Sequence, residues 1–193
     1  EVDRLMTLKS YLILDADREA AFERITALAS RFFDVPIALV SLVDLGRQWF
    51  MSNRGLQARE TPRSMAFCAH AIQNANADLL IVPNAPEDDR FKNNPLVTGP
   101  PDIRFYAGAP LISPEGYRLG TLCIIDTKTR PDGLNLGQKQ TLKELAALTM
   151  EAMLRRRDEK AELAKDRARI MSGAARDLLT PLEGARRALG LLR

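Results

Sequence analysis

The sequence predicts a mixed domain of helices and antiparallel strands, followed by one long helix. Strand-length runs rich in β-branched and aromatic residues recur between residues 36 and 126, and short turns join some of them. A segment with helical periodicity precedes the first of these runs. From about residue 135 onward Ala, Leu, Glu, Lys and Arg dominate, and these residues favour helix.

The first predicted helix is the segment EAAFERITALASRFF. Apolar residues recur in it at spacings of three and four, which is typical of an amphipathic helix; they are Phe22, Ile25, Leu28, Ala29 and Phe32. Asp15 or Asp17 is positioned to cap its N-terminus. This helix is therefore expected to pack one face on the neighbouring strands.

The strands follow in order along the chain. PIALVSLVD and QWFMS flank the turn DLGRQ, a pattern that predicts an antiparallel hairpin. Residues 55–64 are polar and carry Pro62, so a loop is expected there. MAFCAHAIQN has helical character, and LLIVPNA is a short strand. IRFYAGAPLIS and RLGTLCIID are two further strands, joined by a turn at residues 114–116.

The connection PEDDRFKNNPLVTGPP is dense in Pro, Asn and Asp. It is expected to be irregular, with at most one short helix. A connection of this length inside a compact domain is usually a lid or a binding loop.

The long C-terminal segment predicts a coiled coil. Apolar residues recur along it at spacings that mostly combine threes and fours; they are Leu142, Leu145, Leu148, Ala152, Leu163, Ile170, Ala174 and Leu178. Arg156 and Lys160 interrupt the seam. A helix of this length without its own core indicates a parallel homodimer.

Composition excludes several classes of function. The net charge is +3, but acids interleave with the bases of the tail at helical spacings, which indicates a solvated helix and argues against nucleic-acid binding. No apolar run approaches the roughly 20 residues of a membrane span, and no signal peptide is seen at the start. The two cysteines form no CxxC pair, which favours a reducing cytoplasmic location. Walker, HExxH and nucleophile-elbow motifs do not occur, so no catalytic residue, metal site or required cofactor is predicted.

Five blocks in order resemble a GAF domain: FDVPIALVSLVD, RQWF, ETPRSMAFCAHAI, NPLVTGPPDIRFYAGAPL and YRLGTLCIID. The resemblance extends from about residue 8 to residue 157 and is strongest to the branch attached to bacterial sensor histidine kinases and cyclic-di-GMP enzymes. It implies an α+β fold, a central antiparallel sheet of five or six strands flanked by helices, and a sensing role without set chemistry. We therefore expect a sensory domain at residues 1–134 and a signalling helix at residues 135–193.

The resemblance implies a ligand pocket on the concave face of the sheet, beneath FCAHAI and NPLVTG. Candidate pocket residues are Cys68, His70, Arg90, Phe91 and Phe105. Imidazole and thiolate are good ligands for a metal, a haem or a bilin, but positions i and i+2 of a helix point apart and no further ligands complete a set. The structural interpretation of His70 is therefore favoured over cofactor attachment, and no ligand is identified.

Two alternatives in this region stay open. Arg90 could bind an anionic ligand through its bidentate fork, or it could pair with a neighbouring aspartate such as Asp44 or Asp88. Trp49 and Phe50 adjoin in a strand, so one is expected in the core and the other at a pocket or an interface.

The segment RDLLTPL resembles the phosphotransfer motif of histidine kinases, H-E/D-x-x-T/N-P-L. Asp177, Thr180 and Pro181 match it, whereas Arg176 occupies the acceptor position. A guanidinium stays protonated and is no nucleophile. The resemblance therefore implies a degenerate member that signals through a kinase or response-regulator partner. The alternatives are a fragment of an active sensor kinase and a non-catalytic scaffold with an empty GAF domain.

Overall fold

The structure is a computed structural model that describes residues 1–73, 77–188 and 190, without the side chains of residues 174–188. It divides into two compact units, Glu1–Leu154 and the segment from Arg155 onward. Among the described residues, no helix combines the length and the apolar composition that crossing a bilayer requires.

The first unit is built on a six-stranded sheet in the order β3-β2-β1-β6-β5-β4, and every neighbouring pair is antiparallel. The strands are β1 (Ile37–Val43), β2 (Arg47–Arg54), β3 (Glu60–Pro62), β4 (Leu80–Val82), β5 (Phe105–Ile112) and β6 (Arg118–Asp126). The predicted α+β class, the antiparallel sheet and the hairpin of β1 and β2 are confirmed.

The described residues contain five α-helices: α1 (Val2–Ser10), α2 (Ala20–Phe33), α3 (Phe67–Gln73), α4 (Pro95–Thr98) and α5 (Leu136–Ala188). Short 3-10 turns lie at Arg63–Met65 and Ala85–Glu87. The long C-terminal helix is confirmed. Its pairing into a coiled coil stays a prediction.

The two faces of the sheet carry separate apolar cores, because successive residues of a strand point to opposite faces. In β1, Ala38, Val40 and Leu42 belong to one core, and Ile37 and Leu39 belong to the other. The first core also contains buried residues of α1, α2 and the beginning of α5; the α5 residues are Leu142, Ala146, Met150 and Met153. The second core contains α3, α4 and the connection before β5.

Two sequence expectations need correction. Residues 60–62 form the edge strand β3 rather than a loop, and they pair with β2 through a contact that local sequence does not encode. The residue before α2 is Glu19, which makes no side-chain cap. Asp15 instead pairs with Arg47, at 2.7 Å, and Asp17 does not cap the helix either.

The first compact unit extends to Leu154 and includes the beginning of α5. The beginning of α5 is held by the core that it shares with the sheet. It therefore has a packed partner within its own chain, which the sequence pattern alone did not assign to it.

Candidate functional site

The main cavity lies on the second face of the sheet, between the sheet, α3 and the loop that carries α4. It is partly enclosed and has a volume of about 250 Å³, close to the lower end of ligand pockets. Its walls are mostly apolar; lining residues include Ile37, Leu39, Phe50, Leu56, Phe67, Leu96, Ile103 and Ile125. Among the described residues that line the cavity there is no Asp, Glu, Lys, Arg or His.

Local sequence explains how the cavity is covered. Asn94 caps α4 by accepting a hydrogen bond from the Leu96 N–H, and its side-chain amide donates to the Met65 carbonyl at 3.0 Å. This second bond joins the loop of α4 to the segment before α3. Pro100 and Pro101 then continue the same wall of the cavity.

Two polar side chains of the cavity each have an oxygen without a hydrogen-bond partner among the described residues. Gln48 is only 5% exposed, and its Oε1 has no hydrogen-bond partner among the described residues. The Oγ1 of Thr61 on the neighbouring strand is in the same state. Buried polar atoms are almost always satisfied, so these two oxygens are available to a donor on a bound molecule.

A polar cluster borders the cavity where α3 meets β5 and β6. The Thr121 hydroxyl donates to Cys68 Sγ at 3.0 Å, and the Tyr106 hydroxyl donates to the same sulfur at 3.3 Å. Cys123 Sγ lies 3.8 Å from Cys68 Sγ. All four side chains are buried. Hydroxyl donors are the groups that stabilise a thiolate in a site without cations.

The pKa of the Cys68 thiol follows from this environment. Burial raises it, but the contact with Cys123 and the hydrogen bonds from Thr121 and Tyr106 outweigh burial and bring the pKa to about 6. The pKa of Cys123 moves upward, because it donates to Cys68 and is itself buried. Cys68 is therefore the more acidic of the two thiols.

The five predicted pocket residues occupy different places. Cys68 lines the cavity. Phe91 is buried behind its wall and stacks on Phe67 with ring centroids 3.9 Å apart. His70 is exposed, and its ring lies in a T-shaped arrangement with the Phe91 ring, with the two ring centroids 4.9 Å apart. Cys68 and His70 thus point apart, as helical geometry requires.

Arg90 is exposed and pairs with Asp88 at 2.6 Å, outside the cavity. Of the two alternatives for this arginine, the structure shows the aspartate pair. The guanidinium also helps to lower the pKa of His70, after burial, which is the larger cause. No cluster of three or more metal-ligating side chains occurs in the part of the chain that the structure describes.

Phe105 lies on the first face of the sheet, away from the cavity, with the Arg130 guanidinium 5.2 Å from its ring centre. The next residue, Tyr106, faces the cavity instead. The same alternation settles the aromatic pair in β2. Phe50 lines the cavity, whereas Trp49 is buried in the first core.

Sequence reasoning did not identify Gln48, Tyr106, Thr121 or the contact of Cys123 with Cys68. A signal for part of this set is present in the strands. Thr121 and Cys123 lie two residues apart in β6, as do Tyr106 and Gly108 in β5, so each pair shares a face. The absence of a side chain at Gly108 leaves room for the Tyr106 ring, since a Cβ there would lie 2.8 Å from Tyr106 Cζ.

The family model described as "GAF domain" matches residues 17–153. A curated relative, Cyclic di-GMP phosphodiesterase PA2567 from Pseudomonas aeruginosa, is 48% identical over 118 residues, which are 61% of this chain and 20% of the relative. The chain therefore spans about a fifth of the length of that relative.

Two solved structures share the fold. The free methionine-R-sulfoxide reductase of Neisseria meningitidis, in complex with its substrate, has a TM-score of 0.60 at 17% identity, over 82% of this chain and 90% of that chain. A domain of a two-component sensor histidine kinase protein from Sinorhizobium meliloti 1021 has a TM-score of 0.54 at 18% identity, over 73% and 94%. At these identities the likeness concerns the fold alone.

Proposed function

Because the chain belongs to the GAF domain family, we propose that this sensory or regulatory module binds a small neutral molecule and passes the signal to a two-component-type output through a dimeric helix. The observation that carries the proposal is the partly enclosed apolar cavity with a buried carboxamide oxygen, Gln48 Oε1, for which the described residues provide no hydrogen-bond donor. A binding site of this kind holds its ligand by burial of apolar surface and orients it by a few polar groups.

The lining of the cavity defines the class of ligand. A phosphate or a carboxylate in this cavity would lose its hydration without gaining a cation, because the described lining residues are uncharged. Arg90, a candidate anion binder, is engaged by Asp88 outside. The ligand we propose is therefore mostly apolar, neutral and small, with one donor for Gln48 Oε1.

The strand β6 connects the cavity to α5, because its two faces contribute to the cavity and to the core that contains the beginning of α5. In β6, Cys123 and Ile125 border the cavity, while Leu122 and Ile124 belong to the opposite core. That core also contains Leu142 and neighbouring residues of α5. A ligand that shifts β6 changes the packing against α5, and coupling of this kind is typically worth about 1–3 kcal/mol.

The proposed output lies in the second unit. Leu163 and Ile170 are exposed on α5 and are available for a seam between two copies. The phosphotransfer-like residues Arg176, Asp177, Thr180 and Pro181 have side chains outside the described residues, so their role rests on the motif alone. With Arg176 in the acceptor position, the signal passes to a kinase or response-regulator partner rather than to this helix.

A second candidate is favoured by the 48% identical relative. In it, the same cavity regulates a cyclic-di-GMP enzyme rather than a two-component partner. The uncharged lining argues that the cyclic dinucleotide is not the ligand of this cavity. The two candidates thus share the sensory site and differ in the output.

Native mass spectrometry of the purified chain tests the sensory proposal. We expect a dimer that carries a small neutral molecule, which is released when the chain is denatured. A monomer would contradict transmission through a paired helix. A dimer of unmodified mass that binds no apolar compound from a small-molecule library would favour a scaffold with an empty GAF domain.

The complete protein distinguishes the outputs. It is assayed for phosphotransfer from ATP to a response regulator, alone and with a partner kinase, and for hydrolysis of cyclic di-GMP. Phosphotransfer that depends on the partner supports the two-component proposal. Phosphotransfer without a partner supports the active-kinase alternative, and hydrolysis of the cyclic dinucleotide supports the second candidate.

A further inference from the structure

Two cysteines that are 55 residues apart in the sequence meet at the border of the cavity. Cys68 comes from α3 and Cys123 from β6, and their sulfur atoms are 3.8 Å apart. Both are free thiols, and both line the cavity. The fold therefore places a dithiol next to a space that a small molecule can enter.

The surroundings of the two thiols differ. Hydroxyl donors converge on Cys68 Sγ from Thr121, at 3.0 Å, and from Tyr106, at 3.3 Å. These donors stabilise the thiolate form of Cys68, which is the nucleophilic form of a cysteine. Cys123 Sγ lies 3.8 Å from Cys68 Sγ, and the pKa of Cys123 is raised, so Cys123 is the thiol that keeps its proton. One thiol is thus prepared to react first, with the second in contact with it.

We propose that Cys68 and Cys123 form a peroxide-oxidisable dithiol, in which Cys68 reacts first with an alkyl hydroperoxide that enters the apolar cavity and Cys123 resolves the product as a disulfide. The mostly apolar lining, in which the described residues include no cationic side chain, favours an organic hydroperoxide over a charged oxidant. This inference does not depend on reversible binding of another ligand in the cavity.

The chemistry balances without a metal or a cofactor. The Cys68 thiolate attacks the terminal peroxide oxygen, the O–O bond breaks, and the alkoxide leaves as an alcohol after taking a proton. Cys68 becomes a sulfenic acid. The Cys123 sulfur then attacks the Cys68 sulfur, the S–S bond forms, and the hydroxyl group leaves as water with the Cys123 proton. Two thiols and one hydroperoxide thus give one disulfide, one alcohol and one water.

The step also has a structural consequence for the cavity. The two sulfurs approach from 3.8 Å to about 2.05 Å in a disulfide. Since Cys68 lies on α3 and Cys123 lies in the sheet, the bond draws the covering helix toward β6. Disulfide formation also converts the Cys68 thiolate, which Thr121 and Tyr106 stabilise, into a neutral sulfur. Oxidation therefore becomes a second input that acts on the same wall of the cavity.

The test uses the fully reduced chain, treated under native conditions with cumene hydroperoxide and, in parallel, with hydrogen peroxide. The mass of the intact chain is followed after acid quenching, and the products are mapped as peptides without reduction. We expect the loss of two hydrogen atoms, a peptide in which Cys68 is linked to Cys123, and full recovery with dithiothreitol. The organic hydroperoxide is expected to react at least about tenfold faster, because the cavity is apolar.

Three variants separate the roles. Cys68→Ser is expected to stay unoxidised, because Cys123 is the less acidic thiol. Cys123→Ser is expected to stop at the sulfenic acid of Cys68 and then to gain further oxygen atoms. Thr121→Val removes one donor to Cys68 and is expected to slow the first step about tenfold at neutral pH.

The wild-type result does not depend on the folding of any variant. A chain whose reduced mass persists under native conditions, but which oxidises once denatured, would overturn the proposal. So would a disulfide that links two chains instead of Cys68 to Cys123 of one chain. Native mass spectrometry of the reduced wild-type chain measures ligand binding separately, so failure of the redox inference is distinguishable from failure of the proposed sensory function.

Discussion

Replacement of Gln48 by methionine is expected to stabilise the empty protein and to weaken ligand binding. The Gln48 side chain is 5% exposed, and its Oε1 has no partner among the described residues. A buried polar group without a partner costs about 1–3 kcal/mol. Because the group borders a cavity that can admit water, we expect the lower end, a gain of about 1 kcal/mol in the free energy of unfolding. Methionine keeps the length of the side chain and removes the amide.

Urea denaturation provides the assay. The protein has one tryptophan, Trp49, which is buried in the strand that carries Gln48 and therefore reports on this region. With a slope of about 1–3 kcal/mol per molar urea, the expected gain moves the midpoint upward by roughly 0.5 M. The matched control is Gln57→Met, since Gln57 is exposed and its replacement is expected to change stability by less than about 0.5 kcal/mol.

Two results would refute this reasoning. A lower midpoint for Gln48→Met, with the control unchanged, would mean that the carboxamide is satisfied in solution and contributes to stability. Equal affinity of wild type and variant for a ligand found by native mass spectrometry would mean that Gln48 does not orient it. In a site built around this group, we expect the variant to bind at least about tenfold more weakly, the loss of one hydrogen bond.

Three other predictions concern the packing and charges of the first unit. Gly120→Ala is expected to lower the free energy of unfolding by about 3 kcal/mol or to prevent folding, because the added Cβ would overlap the backbone of β1. Gly46→Ala is the control, because its Cβ would meet no atom within 4 Å. In thermal unfolding, the stability of this control should stay within about 0.5 kcal/mol of wild type. Leu142→Ala is expected to lower the free energy of unfolding in urea by about 2–5 kcal/mol, because Leu142 is fully buried. Leu148→Ala is the control and should be nearly neutral, because the Leu148 side chain is 52% exposed. Equal losses for the two variants would show that the outer face of α5 is covered in solution. Arg47→Met is expected to lower stability at neutral pH, because Arg47 pairs with Asp15 and holds the pKa of that carboxylate below its ordinary value. The effect is lost as the pH falls below about 4 and through the lowered pKa, because protonated Asp15 no longer pairs with the guanidinium; a difference from wild type that stays constant over this acid range would contradict this.

Local periodicity predicted much of the fold from the sequence. The spacing of apolar residues identified α2, and the turn between two strand-like runs identified the hairpin of β1 and β2. The strand β3 was missed because it has three residues, ends in Pro62 and exists only through its pairing with β2. The beginning of α5 has a strong helical signal, but its partner, the sheet, is distant in sequence.

The site was harder to predict than the fold for a geometric reason. In a strand, a shift of one residue moves a side chain to the opposite face. Phe105 was proposed as a pocket residue, yet its neighbour Tyr106 faces the cavity. For Trp49 and Phe50 the sequence likewise left open which residue faces the cavity, and the register between β1 and β2 decides it. The residues that form the site come from strands whose order the sequence pattern does not give.

The contact between Cys68 and Cys123 shows what only the assembled sheet provides. Each cysteine alone is an unremarkable buried small residue, and their separation of 55 residues gives no pairing signal. The antiparallel arrangement of β5 and β6 brings Tyr106 and Thr121 to the same place, so that two hydroxyls and a second thiol converge on one sulfur. A small ligand in the cavity and oxidation of the dithiol would both act on the position of α3 relative to β6. Since β6 also carries the core residues that hold α5, either event reaches the long helix through the same strand. If the disulfide changes ligand affinity by a given factor, thermodynamic linkage requires the ligand to change the reduction equilibrium of the dithiol by the same factor.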